Sequence, residues 1–188
     1  MKLRNKFGVI IGGAVGIGRA ITNRLAEEGC NLYITYYSDT ELEGAKELKK
    51  RLGSYDIFFD YAQLDILNIN EVKGFFKKIE SSGKKLDLAI NNAGISVKNS
   101  FTNISEEEWD LIMNVNAKGI FFCCQEEAKI MMKQNYGKII NTASIAGKVG
   151  AMYLSHYAAS KNAVLGFSFS IAKELSEYNI TVNCVCPG

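Results

Sequence analysis

The sequence predicts an α/β protein with a doubly wound parallel sheet in a three-layer α/β/α arrangement, and two observations lead there. Short apolar runs alternate with amphipathic stretches along the whole chain, and the runs are continuously apolar rather than alternating. Continuous runs mark strands buried on both faces, and right-handed crossovers place a helix over each face of such a sheet. Ligands of these sheets bind outside the carboxyl ends of the strands, so the ends of the runs are where chemistry is sought.

In chain order, the runs Phe7 to Ile11, Leu32 to Tyr36, Ile57 to Tyr61, Leu86 to Ile90, Lys138 to Asn141 and Ile180 to Val185 read as strands. The first helix is expected from Gly16 to about Glu28, with Ile17, Ala20, Ile21 and Leu25 on one face and Gly29 as its C-terminal cap. The second is expected from Ser38, which has capping-box spacing to Glu41, toward Arg51 before Gly53. A further helix is expected to begin around Tyr157.

With 188 residues, 47% of them hydrophobic, the chain is long enough for one domain over 1–188 with a substantial core. The net charge of +2 and the absence of long single-sign runs argue against a nucleic-acid groove or an anionic membrane surface, leaving a small molecule as the expected partner. The five cysteines (Cys30, Cys123, Cys124, Cys184, Cys186) are odd in number, lie in apolar surroundings and lack metal-ligand spacing. They read as reduced core residues, with no metal site. No signal-length apolar stretch follows Met1 to Phe7, and no run reaches ~18 apolar residues, so a cytoplasmic protein is expected.

The first strand runs into Ile11-Gly12-Gly13-Ala14-Val15-Gly16-Ile17-Gly18, a G-x-x-x-G-x-G turn directly before a helix. Gly12 permits a tight turn, Gly16 lets backbone approach a pyrophosphate, and Gly18 lets helix pack closely on strand. The free amides and positive end of the helix then face phosphate. An acid at the end of the second strand would take the ribose hydroxyls of NAD, but Thr35-Tyr36-Tyr37 offers none. Asp39 either reaches that ribose or serves the helix start. With Ser38 as a donor and Arg19 as a counter-charge, the sequence leans toward NADP over NAD.

Tyr157-Ala158-Ala159-Ser160-Lys161 places a phenol and an ammonium one helical turn apart on one face. A phenol of reference pKa about 10 needs roughly 4 kcal/mol to ionise near neutrality, about what one cation ~4 Å away supplies at an effective dielectric of 20. Upstream, Ser144 follows the Ile139-Ile140 strand and so puts a hydroxyl at a carboxyl end. A serine hydrolase is disfavoured: the only histidine, His156, is adjacent to Tyr157 and reads as a pocket-rim or helix-start residue, and Ser144 lacks a G-x-S-x-G elbow.

From Lys6 to Gly188 the sequence resembles the short-chain dehydrogenase/reductase family. Ile11 to Gly18 resembles its T-G-x-x-x-G-I-G loop, Asn91-Asn92-Ala93-Gly94 its N-N-A-G segment and Asn114-Val115-Asn116 the region of its helix asparagine. Ser144, Tyr157 and Lys161 match its catalytic residues, and Pro187-Gly188 its P-G turn. The resemblance implies a Rossmann fold and an NAD(P)-dependent oxidoreductase acting on a carbonyl or secondary alcohol. Candidate substrates are 3-oxoacyl thioesters, sugars and polyols, small diketones or steroids. It implies Tyr157 as proton donor or acceptor, Ser144 holding the substrate oxygen, and Lys161 acting on the tyrosine and the nicotinamide ribose. Asn116 would hold a water in a proton relay. Cofactor contacts are implied for Gly12, Gly16, Ile17, Gly18, Ser38, Asp65, Asn91, Ala93, Gly94, Pro187 and Gly188. A homodimer or homotetramer through the Tyr157 helix and the one before it is also implied, with Phe121, Phe122, Phe167 and Phe169 available to it.

Two departures from the family pattern stand out. Ile11 replaces a threonine whose hydroxyl can brace the loop. The chain also ends at the P-G turn, where the family continues into a substrate-covering segment and a last strand, so a fragment of a longer protein is expected. The alternative function is then a non-catalytic dinucleotide-binding fragment or regulator. Ser96, Val97, Ala151 and Met152 are expected to border the substrate pocket.

Overall fold

A computed structural model describes residues 1–188. Six strands, β1 (Phe7–Ile11), β2 (Asn31–Tyr36), β3 (Phe59–Gln63), β4 (Leu88–Asn91), β5 (Gly137–Thr142) and β6 (Ile180–Val185), form one sheet of order β3-β2-β1-β4-β5-β6. Every neighbouring pair is parallel. The helices are α1 (Gly16–Glu27), α2 (Asp39–Leu52), α3 (Ile69–Ser81), α4 (Glu106–Met113), α5 (Ile120–Gln134), the single turn α6 (Ala146–Val149) and α7 (Ser155–Glu174). A π-turn over Asn114–Gly119 joins α4 to α5.

The continuous apolar runs have the expected cause. In β1, Val9 and Ile11 face one core with Phe75 and Phe76 of α3 and Cys123 and Met131 of α5. Ile10 faces the other, with Ala26 of α1 and Ala45, Leu48 and Leu52 of α2. Strand order reverses between β1 and β4, and this switch point opens the crevice in which such sheets bind ligands.

Two strands start two residues later than their apolar runs. Leu86 is fully buried, but its N–H and C=O bond to the Gln134 side chain at 2.8 and 2.9 Å instead of to a strand, so burial without a ladder begins the run. The third run, begun at Ile57, enters the sheet at Phe59. Asn31 Oδ1 accepts from Phe58 N–H at 2.7 Å and sets the register, and Ile57 packs against the core from a turn.

The capping box at α2 is also rearranged. Ser38 is the N-cap residue but makes no side-chain cap bond; its Oγ pairs with Thr40 Oγ1 at 2.8 Å. Glu41 accepts instead from Tyr37 N–H at 2.7 Å. Asp39 lies in the first turn, where its charge complements the helix dipole. Cys30, Cys123 and Cys124 are buried free thiols, but Cys184, on the edge strand β6, and Cys186, just beyond its end, are only half-buried.

Candidate functional site

The glycine loop leaves β1 at the switch point. Gly12 has φ +75, and a Cβ there would stand 2.9 Å from the Ala93 backbone, so β1 and β4 close on each other only because the side chain is missing. At Gly18 a Cβ would fall 1.9 Å from Gly12 O, which forces helix and turn into contact. Gly16, φ +54, faces open space with nothing within 4 Å. The N-cap of α1, Val15, offers no side-chain cap, and the first turn holds no acid, so its amides are available to an anion. Ile11, in the place of the threonine, is fully buried in core. Thr35 of β2 braces the loop instead: its Oγ1 accepts from Gly12 N–H at 3.1 Å, while Thr22 donates to Gly13 O at 2.9 Å.

On one side of this loop lies a cleft of about 360 Å³ bordered by Tyr36, Tyr37, Glu41, Asp65 and Ala93. On the other an opening of about 480 Å³ is bordered by Gly16, Ile17, Ser144, Tyr157, Lys161, Pro187 and Gly188. Val15, Asn92, Gly94 and Ile95 border both, so the two form one groove. Ser96 borders the second space, whereas Val97, Ala151 and Met152 are exposed and do not line it, and Leu154 lines it without having been singled out in the sequence.

Ser144, Tyr157 and Lys161 meet at the mouth of this second space. Ser144 Oγ, at the end of β5, accepts from Ala146 N–H at 3.1 Å and donates to no protein group. Lys161 is 3% exposed, its Nζ donates to Thr142 O at 2.8 Å, and it stands 5.8 Å from the centre of the Tyr157 ring. Burial brings the lysine down from 10.5 to about 8. Gly94 makes room for it: a Cβ there would be 3.2 Å from Lys161 Nζ and 3.1 Å from Asn116 Oδ1.

Asn116 sits buried in the π-turn, where Oδ1 accepts from Ile95 N–H at 2.8 Å and Nδ2 donates to Ile95 O at 2.9 Å and Ser160 Oγ at 3.1 Å. Its side chain is thus a clamp between the π-turn and the segment leaving β4.

Position bears on three expectations. Asn91 does not face the groove: its side chain turns under α5, donating to Glu127 at 3.0 Å and Asn141 at 2.9 Å, because strand alternation sends successive residues to opposite faces. Asn92 faces the groove instead and donates to Gly12 O at 3.1 Å. His156 is at a helix start, as one of its two expected readings had it, but is fully buried and not at the rim, its Nε2 lying 3.0 Å from Glu108 Oε1. The Arg19 guanidinium, the expected counter-charge, pairs with Glu47 at 2.8 Å in an exposed ion pair.

Ser38 borders only a shallow basin beside the cleft, with Tyr37, Asp39, Gln63, Asp65 and Glu71, and Tyr37 and Asp65 touch both spaces. No helix is long and apolar enough to cross a membrane, and no three His, Cys, Asp or Glu side chains are grouped to hold a metal ion.

A sequence model of the family described as short chain dehydrogenase matches residues 6–188. The chain is 38% identical over 186 residues to the 3-oxoacyl-(acyl-carrier-protein) reductase FabG of Staphylococcus aureus, covering 97% of this chain and 74% of that protein. It is 35% identical over 189 residues to the protein of the same name from Thermotoga maritima, covering 100% and 75%. Among solved structures, xylitol dehydrogenase with bound NAD+ superposes with a TM-score of 0.93 at 28% identity, covering 100% of this chain and 72% of that one. A variant of actinorhodin polyketide ketoreductase with NADPH gives 0.90 at 29%, covering 97% and 70%.

Proposed function

The chain belongs to the short-chain dehydrogenase family, and on that premise we propose that it interconverts a carbonyl and a secondary alcohol with a nicotinamide dinucleotide, Tyr157 carrying the proton. The observation that carries this reading is that Ser144, Tyr157 and Lys161 border one end of a groove whose middle is bordered by the glycine loop.

The residues fit such a dinucleotide. Open space over Gly16 and the uncapped start of α1 suit a pyrophosphate, with Gly12, Ile17 and Gly18 shaping the turn. Asp65 and Ala93 border the adenosine side, while Gly94, Pro187 and Gly188 border the nicotinamide side. When bound, the dinucleotide supplies or accepts the hydride. In the reduction direction the Tyr157 hydroxyl passes its proton to the carbonyl oxygen, and the Ser144 hydroxyl, free to donate, holds that oxygen as its charge grows. The Lys161 ammonium beside the ring favours the phenolate left behind. Asn116 keeps the segment after β4 against the π-turn, next to Gly94 and Lys161.

The charge around the adenosine side supports NAD rather than NADP. Glu41 and Asp65 border the cleft and Asp39 and Glu71 the adjoining basin, with no lysine or arginine at either. Arg19 is paired with Glu47 at the surface, and a 2′-phosphate would meet like charge along both spaces. The names of the relatives point to ketones of acyl thioesters or to polyols as substrate classes. We further propose a homodimer or homotetramer through α5 and α7, which expose Phe121 and Phe169.

The test is a panel of such carbonyls with NADH and NADPH in parallel. Turnover is expected with NADH favoured at least about tenfold, a difference of ~1.4 kcal/mol. Tyr157→Phe should remove nearly all turnover and leave the Kd for NADH within about twofold. Dinucleotide binding without turnover of any carbonyl would instead favour a regulator.

A further inference from the structure

The mouth of the groove is braced by a buried group of side chains that the chemistry above does not use. His156, one residue before Tyr157 in the first turn of α7, is fully buried. Its Nε2 stands 3.0 Å from Glu108 Oε1 of α4, off the axis of a hydrogen bond, and its Nδ1 has no partner. The other Glu108 oxygen accepts from Asn99 Nδ2 at 2.9 Å. Asn99 lies on the loop that leaves β4 past Gly94 and Ser96, and its backbone N–H donates to Tyr153 O at 2.9 Å. Tyr153 has φ 63, a left-handed conformation that a bulky residue keeps only where its surroundings impose it.

Glu108 therefore links three pieces of chain around the site: the loop after β4, the strained turn before α7, and the helical turn that carries Tyr157. One turn further along, Ser160 accepts from Asn116 and Lys161 donates to Thr142 O, and Glu108 adds a hold at the first turn itself. The start of α7 has no side-chain cap bond, and no hydrogen bond within the protein holds the Tyr157 hydroxyl. Adjacent residues on a helix project about 100° apart, so a hold on His156 sets the rotation at which the phenol enters the groove.

We propose that Glu108 is a positioning residue, fixing Tyr157 opposite Ser144 through His156 and fixing the rim of the substrate pocket through Asn99 and Tyr153. The inference rests on the reading of Tyr157 as the proton carrier, and two readouts on the full chain keep the two separable.

The first is hydrogen–deuterium exchange. Glu108→Ala should speed exchange about tenfold or more over residues 97–101 and 150–158, leaving the glycine loop at its wild-type rate. Glu108→Gln retains an acceptor for Asn99 and a donor toward the imidazole, and should stay within about threefold of wild type.

The second is kinetics. Glu108→Ala should lower kcat about tenfold or more with the dinucleotide KM within about twofold, and Glu108→Gln should recover most of the loss. Unchanged exchange in both segments, or equal losses in the Ala and Gln variants, overturns the positioning role. Faster exchange in a chain whose wild type reduces no carbonyl upholds the brace and overturns the reading of Tyr157. Should Glu108→Ala fail to fold, His156→Ala carries the same test over residues 150–158, with the same expected and opposing results.

Discussion

Lys161 and Glu127 are both buried and ionisable, yet their surroundings assign them opposite tasks. Lys161 has one hydrogen bond, to Thr142 O, and opens onto the groove; burial alone depresses it to about 8. Keeping it charged at neutral pH costs about 3 kcal/mol, at ~1.36 kcal/mol per unit from 10.5. A charged hydrogen bond returns roughly 1.5–3 kcal/mol. Lys161→Met should therefore abolish turnover without lowering the melting temperature, which kinetics and calorimetry on the same preparation would check. Glu127 faces away from the groove, on the buried side of α5 toward Asn91 of β4, and burial pushes it up to about 8, so it stays protonated as the neutral partner of Asn91. The tyrosine–lysine spacing and Ser144 were legible as candidates because a helical turn and a strand end can be read locally. The Glu127 and His156 environments were not, because each depends on a residue from a distant element.

At the scale of elements, the loop shows how a missing hydroxyl is replaced. Ile11 serves the core, and the bracing oxygen comes from Thr35 on the neighbouring strand, also paired with β1. Thr35→Val keeps shape but leaves Gly12 N–H without its acceptor. The loss of about 1 kcal/mol should loosen dinucleotide binding severalfold and leave kcat close to wild type, as titration and steady-state kinetics would show. Both interior helix starts, α1 and α2, were readable from glycine and serine signals. The exact ladder ends of β3 and β4 were not, because side chains of Asn31 and Gln134 stand in for strand partners.

For the whole molecule, buried ionisable groups set the dependence of stability on pH. Glu127 rises from 4.5 to about 8 on folding, so between those values the unfolded chain holds fewer protons and stability falls as pH rises. Lys161 works in the opposite sense between about 8 and 10.5. Above 9.0 it is outweighed by three buried thiols, since Cys30 rises to about 12 and Cys123 and Cys124 are pushed well up by desolvation, all ionising first in the unfolded chain. Stability should thus be greatest near pH 5, well below the pI of about 8.2, and fall steeply above pH 9. Denaturant melts at pH 5, 7.5 and 9.5 would show the order. Glu127→Gln should flatten the portion between 5 and 8.

The sequence alone determined the α/β alternation, the glycine turn and the spacing of Tyr157 and Lys161, because each is set by residues close together in the chain through helical or strand periodicity and glycine's freedom. Only the tertiary structure decided that Asn92 and not Asn91 faces the groove, that Thr35 braces the loop, that Arg19 is already engaged and that Glu108 reaches His156. Those outcomes turn on which face of a strand is presented and which side chains from remote elements arrive within hydrogen-bonding range, and neither is encoded in local spacing.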